Sequence, residues 1–255
     1  MSWQQRMHAR PGVHADWIVP DWPAPARVRA FVTTRAGGVS RGAYATMNLS
    51  ASNGDEPVDV ARNRAIVCAA LPAMPTWMRQ VHGTEVLDLD RWSGDRPTAD
   101  AAVAGLQGKV CNVLTADCLP LLLCDTEGNR VAVAHAGWRG LAAGVIENAV
   151  ASLQALPGEV LAWMGPAIGP KAFEVGPEVR EAFVSRDARA ESAFAPHVPG
   201  KFMADLYALA RLRLESVGIT SIHGGGFCTY TETQRFFSYR REKMSGRLGA
   251  FIWLA

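Results

Sequence analysis

His82, Cys118 and His135 are the residues of this chain whose types could most readily act together. Each sits in a short polar break beside an apolar run: Gln80-Val81-His82-Gly83, Thr115-Ala116-Asp117-Cys118, and His135-Ala136-Gly137-Trp138-Arg139-Gly140. Two imidazoles and a thiolate form a borderline-soft donor set that suits zinc or copper. Three protein donors leave one tetrahedral position open, as in catalytic rather than structural zinc sites. The gaps between them are too wide for a zinc finger, so only a fold can bring them together. The expectation is convergence on one point, roughly 2.0–2.3 Å from each donor to a zinc-sized ion.

The neighbours of these residues sharpen the reading. Asp117 interrupts an apolar run, and a carboxylate buried there needs a partner or a cavity to line. It is a candidate to orient a ligand or shuttle a proton. Cys68, Cys111 and Cys124 have no such neighbour and read as core thiols. Cys228 follows Gly224-Gly225-Gly226, where the backbone can approach another group closely, and His223 beside that run is a rival ligand. His8, His14 and His197 lie in polar or proline-rich surroundings and read as exposed. His135 ends an apolar strand before a helix that begins near Gly140. Such a junction favours anions, and the Arg139 fork suits phosphate or carboxylate. The plainer alternative is a turn with a surface arginine and a buried Trp138.

The elements that must position these groups are legible in the hydrophobic pattern. Val28 to Thr33 reads as a strand leading into the glycine-rich loop from Arg35 to Gly42. Val60, Arg64, Val67 and Leu71 share a helical face, with Pro57 near its start and Pro72 beyond its end. Thr76 to Val81 and Glu85 to Leu89 are short strand candidates around His82. Val110 to Leu114, Leu119 to Cys124 and Val131 to Ala134 are continuous apolar runs, the pattern of strands buried on both faces. Leu141 to Leu153 carries a helical stripe, Val160 to Met164 a strand, Pro177 to Val184 a helix, and Met203 to Val217 another. Ile219 to Ile222, Phe236 to Tyr239 and Leu248 to Leu254 are further strand candidates. One mixed α/β domain fits this order better than two.

Composition narrows the partners. A net charge of +2 over 255 residues leaves no basic footprint for nucleic acid, so a small-molecule substrate is expected. Hydrophobic content of 49% with 20% charged residues is that of a globular chain. Five scattered cysteines with no CxxC pair read as reduced thiols of a cytoplasmic protein. The segment from Met1 to Pro11 lacks the apolar core of a secretory signal. Asn112, Asp117 and Pro120 interrupt the most apolar stretch, which rules out a membrane span there.

Together these fragments resemble a widespread bacterial family. It is described variously as multicopper polyphenol oxidase-like (laccase-domain), purine nucleoside phosphorylase and peptidoglycan editing factor. The resemblance runs from about Trp17 to the C-terminus. It rests on Thr34-Arg35-Ala36-Gly37-Gly38-Val39-Ser40, Asn48-Leu49, Asn63-Arg64, Arg79-Gln80-Val81-His82-Gly83, Asp100-Ala101, Thr115-Ala116-Asp117-Cys118-Leu119-Pro120, His135-Ala136-Gly137-Trp138-Arg139-Gly140, Gly165-Pro166-Ala167-Ile168-Gly169-Pro170, Glu174-Val175-Gly176, Cys228-Thr229 and Phe237-Ser238-Tyr239-Arg240-Arg241.

The resemblance implies a compact, layered α/β domain over residues 17–255, with helices outside central sheets and residues 1–16 as an N-terminal arm. Its site would lie where loops from two central sheets meet. It also implies a transition metal, zinc or copper, on His82, Cys118 and His135. Some relatives carry cysteines where this chain has Ala167, Lys171 and Ala172, which argues against a metal or redox role for that loop here.

Chemistry ranks the activities the family's names suggest. Six histidines without a His-x-His pair cannot build a multicopper cluster, which disfavours laccase chemistry. A lone zinc suits purine nucleosides better, either by activating water for adenosine deamination or by assisting phosphorolysis. Cys118, His135, Asp117 and Arg139 are the expected catalytic residues. Arg35, Arg64, Gln80, Trp138 and Arg240 are the expected contacts to nucleoside and phosphate. The second class of activity is a thiol hydrolase acting on a cell-wall precursor, with Cys118 as nucleophile and His135 as base. Oligomeric state stays open.

Overall fold

The computed structural model describes residues 12–255. Most of the expected N-terminal arm, residues 1–11, lies outside them. Val28–Val32 (β1), Leu248–Leu254 (β12) and Val110–Thr115 (β4) form an antiparallel sheet in the order β1-β12-β4. A second sheet joins Ser221–Gly224 (β11), Val160–Met164 (β7), Leu119–Asp125 (β5), Val131–Ala136 (β6), Ala101–Ala104 (β3) and Val86–Asp88 (β2), in that order. A small third sheet runs Glu174–Val175 (β8), Phe202–Ala204 (β10), Phe194–Pro196 (β9). The helices are Pro57–Cys68 (α1), Trp138–Ala143 (α2), Val145–Ser152 (α3), Pro177–Val184 (α4), Leu206–Ser216 (α5) and Tyr239–Glu242 (α6).

The apolar runs of the sequence become strands because both of their faces are covered. Along β5, Leu119, Leu121 and Leu123 pack among the helices with Leu141, Ile146 and Leu209. The alternate residues Leu122 and Cys124 pack against the first sheet, with Val113 and Ile252. That sheet's other face buries Phe31, Phe251 and Trp253 against Trp17, Met47 and Val67 of α1. Each such large side chain contributes about 1.5–3 kcal/mol of apolar burial. The result is a layered, single mixed α/β domain with two sheets at its centre.

Several local expectations are corrected. The stripe from Leu141 to Leu153 is split into α2 and α3 by Gly144, whose φ of 112° is a conformation that favours glycine. Met203 belongs to a strand, and α5 starts only after Asp205, whose carboxylate accepts from the Ala208 amide. Phe236 to Tyr239 is no strand. Phe236 and Phe237 are buried from a loop, and Ser238 caps α6. Thr76 to Val81 contributes only a bridge between Arg79 and Thr98. All five cysteines are unpaired. Among the described residues no helix is long and apolar enough to cross a membrane.

Candidate metal centre

β4 belongs to the first sheet and β5 to the second, so residues 116–118 form the step from one sheet to the other. Making that step in three residues forces Asp117 to φ 92°. A left-handed conformation of this kind costs a non-glycine residue about 1–3 kcal/mol. Contacts to Asp117 offset it: the Thr229 hydroxyl donates to Oδ1 at 2.6 Å and the Arg240 amide to Oδ2 at 2.7 Å. The turn delivers Cys118 to the head of β5, where Pro120 pairs with His135 of β6.

Asp100 gathers the other two ligands. It is fully buried and directly precedes β3, whose first residue pairs with Ala134. Its Oδ1 accepts from His135 Nδ1 at 2.8 Å. The same carboxylate accepts from the amides of Val81 (3.0 Å), His82 (2.9 Å) and Gly83 (2.7 Å). One buried anion therefore orients the imidazole of His135 and clamps the loop that carries His82, itself at φ 60°. Gln80 secures that loop from the other side. Its side-chain amide donates to Leu114 O at 2.8 Å and accepts from Leu114 N at 2.7 Å, as a neighbouring strand residue would.

The donor atoms of His82, Cys118 and His135 all lie within 4.8 Å of one another. Cys118 Sγ is 3.7 Å from His82 Nε2, and the two imidazole rings meet edge-on with centroids 4.8 Å apart. His135 is buried, Cys118 half-buried and His82 exposed, so the group opens to solvent on the His82 side. Burial works to raise the Cys118 thiol, but the charge on His135 and hydrogen bonds from both imidazoles outweigh it and bring the pKa down to about 6. Burial likewise opposes the charge on His135, yet the Cys118 thiolate and the Asp100 carboxylate lift it to about 9. Burial pushes Asp100 up, and its bonds to His135, Val81 and Gly83 hold it below the usual carboxylate range.

The residues present fit a transition metal. Asp100 occupies His135 Nδ1 and leaves Nε2 toward the cluster, the carboxylate–histidine arrangement that supports metal ligation. Gly137 leaves the cluster clear, because a Cβ there would lie 2.8 Å from Cys118 Sγ and 2.9 Å from His82 Cδ2. Among the described residues this is the single group of three or more His, Cys, Asp or Glu side chains close enough to hold an ion.

The other expected residues divide. Arg139 and Trp138 begin α2 beside the cluster, with the Arg139 guanidinium 4.4 Å over the Trp138 ring. Arg240 meets Asp117 through its amide, while its side chain reaches away to Glu174 O at 2.8 Å. Arg35, Arg64 and Gln80, expected as substrate contacts, each make hydrogen bonds within the fold. Arg35 binds Ala45 O and Thr233 O; Arg64 binds Leu49 O and covers the Trp77 ring at 4.0 Å. Arg35 Nε and Nη1, Arg64 Nε and the Gln80 side-chain amide are thereby committed to backbone carbonyls.

Two residues escaped the site reading of the sequence. Asp100 stood there only within a matched motif, although an acid abutting the apolar run Ala101–Ala104 carries the same signal that singled out Asp117. Arg247, whose charge interacts with Cys118 and Asp117, had no signal beyond its place before β12.

Residues 29–255 match the family described as multi-copper polyphenol oxidoreductase laccase. A purine nucleoside phosphorylase of Pseudomonas aeruginosa is 54% identical over 239 residues, covering 93% of this chain and 98% of that protein. Purine nucleoside phosphorylase YfiH of Escherichia coli is 53% identical with the same coverage. The crystal structure of Neisseria meningitidis protein NMB0706 superposes with a TM-score of 0.90 at 48% identity, covering 94% of this chain and 99% of that one. This chain therefore belongs to the multi-copper polyphenol oxidoreductase laccase family.

Proposed function

We propose that this protein is a single-metal purine nucleoside phosphorylase, with His82, Cys118 and His135 holding zinc or copper. The observation that carries this reading is the convergence of the three donors with Asp100 behind them. One three-donor group is too small for a multicopper cluster, and the Pseudomonas aeruginosa and Escherichia coli relatives are named purine nucleoside phosphorylases. When bound, the metal supplies a Lewis acid that neutralises negative charge at the reacting centre. In phosphorolysis a phosphate oxygen bonds to the ribose anomeric carbon, and the bond to the purine breaks with its electron pair leaving on the base. The chain's task is to hold these partners and a proton for the departing base. Asp100 fixes His135, Asp117 is held by Thr229 and Arg240, and Arg139 and Trp138 border the cluster.

Cys118, His135 and Asp100 also stand as nucleophile, base and orienting acid, the order a thiol hydrolase uses. His82 argues against that reading, because it occupies a face of the thiolate that a nucleophile needs open. Metal-loaded protein incubated with adenosine or inosine and phosphate should release free purine and ribose 1-phosphate by mass spectrometry. Chelation should abolish turnover and metal should restore it. Release of ammonia from adenosine instead would assign deamination to the same centre. Full metal occupancy with neither product, or activity that resists chelators and dies on thiol alkylation, would replace this reading with the hydrolase.

A further inference from the structure

Arg247 directly precedes β12, whose first residue, Leu248, pairs with Thr115 at the end of β4. It therefore stands beside the step that carries Asp117 and Cys118. Its backbone is fixed, with the amide donating to Asn48 Oδ1 at 2.9 Å and the carbonyl accepting from Leu49 N at 3.2 Å. Half of its guanidinium is committed too: Nη1 donates to Ser245 O at 2.8 Å and Gly246 O at 3.0 Å. The Tyr239 ring lies beneath it, 5.6 Å from centroid to Cζ.

The other half is uncommitted. Among the described residues neither Nε nor Nη2 of Arg247 has a hydrogen-bond acceptor, and no carboxylate pairs with it. Neither atom belongs to the sealed polar atoms that lack a partner, so this edge faces solvent rather than core. Burial lowers the pKa of this guanidinium, and the charges on Cys118 and Asp117 work the other way. A half-buried cation, held rigidly along one edge and open to solvent along the other, is preorganised to receive an anion.

We propose that Arg247 is the anion-binding residue of the His82–Cys118–His135 centre, taking an oxyanion of the substrate on its Nε–Nη2 edge. The edge matches the bidentate geometry of phosphate or carboxylate. In the phosphorylase reading, on which the choice of ion rests, the anion is inorganic phosphate. Arg139 is the weaker candidate for the task. It sits on a helix of six residues with its guanidinium over the Trp138 ring, and among the described residues no carbonyl anchors it.

The test compares metal-loaded wild type with Arg247→Gln, Arg247→Lys and Arg139→Gln, reading inorganic phosphate binding together with phosphate and inosine KM. Arg247→Gln should weaken phosphate binding and raise phosphate KM by about 10- to 100-fold, the loss of a charge-assisted pair. Inosine KM and metal content should hold, and Arg247→Lys should recover part of the loss. Arg139→Gln should weaken phosphate binding less than Arg247→Gln does. Phosphate affinity unchanged in Arg247→Gln, or lost instead in Arg139→Gln, overturns the assignment.

Wild type provides a second readout that does not depend on any variant folding. Saturating phosphate should shield Arg247 from phenylglyoxal, followed by peptide mass spectrometry, and no shielding overturns the proposal. Phosphate bound through Arg247 without nucleoside cleavage removes the phosphorylase reading and keeps this one. Phosphorolysis with an Arg247-independent phosphate KM does the reverse. A wild type that binds no phosphate removes both.

Discussion

Four donors converge on the two oxygens of Asp100: His135 Nδ1 and the amides of Val81, His82 and Gly83. Asp100→Asn would present one accepting oxygen instead of two and no charge. Metal affinity should fall about 10- to 100-fold, as when such supporting groups are removed elsewhere. Unchanged affinity in competition with a chromophoric chelator would show that Asp100 serves folding alone. Cys118 offers a second check at this scale. Its thiol, brought down to about 6, remains thiolate until the pH drops through that value. In metal-free protein, iodoacetamide should label Cys118 at a nearly constant rate above about pH 6 and more slowly below it. Cys111 and Cys124, whose thiols burial pushes up, should stay unlabelled, and zinc should protect Cys118. Peptide mass spectrometry reads all three together.

At the scale of elements, the step 116–118, the loop 81–83 and the start of α2 place the ligands. Gly137 caps α2 at φ −65°, which alanine adopts without strain. Gly137→Ala should therefore fold normally and fail locally, its methyl pressing on Cys118 Sγ and His82 Cδ2. The expected loss of metal affinity is on the order of tenfold, with the melting temperature of the metal-free protein unchanged. Affinity equal to wild type would mean that the ligands adjust freely. The elements differ in how readily their sequences declare them. β4 to β7 and β12 are continuous apolar runs because layers cover both faces, and that pattern survives in the sequence. Phe236 and Phe237 are equally apolar yet lie in a loop, since their rings fill a small cluster with Ala116 and Leu248 that only the fold creates. Gln80 gave no sign of substituting for a strand, because its partner Leu114 is 34 residues away. His82, Cys118 and His135 were visible as residue types at breaks. Asp100, which unites two of them, was hidden because its four bonds are all long-range.

For the whole molecule, the ligands come from three segments and tie the second sheet to the step that leaves the first. An ion held there favours the folded state by mass action, about 2.7 kcal/mol at a hundredfold excess over Kd. For a chain of this length that is a rise of roughly 5–10 °C in melting temperature. Calorimetry with and without chelator should show it. No shift at saturating metal would mean that the folded protein gains nothing from the ion.

The three-residue step between the sheets also predicts where this chain can accept extra length. The turn at Gly128, between β5 and β6, lies at the opposite end of those strands from Cys118 and His135. A short glycine–serine insertion there should leave metal loading intact. One added residue between Thr115 and Cys118 has no such freedom, because both neighbouring strands are locked in register and Asp117 already spans the gap in a strained conformation. The thiol would be turned out of the cluster while most of the core stayed packed. Homologous chains should accordingly vary in length at the first position and hold it constant at the second, a pattern that an insertion scan read by metal stoichiometry would reproduce.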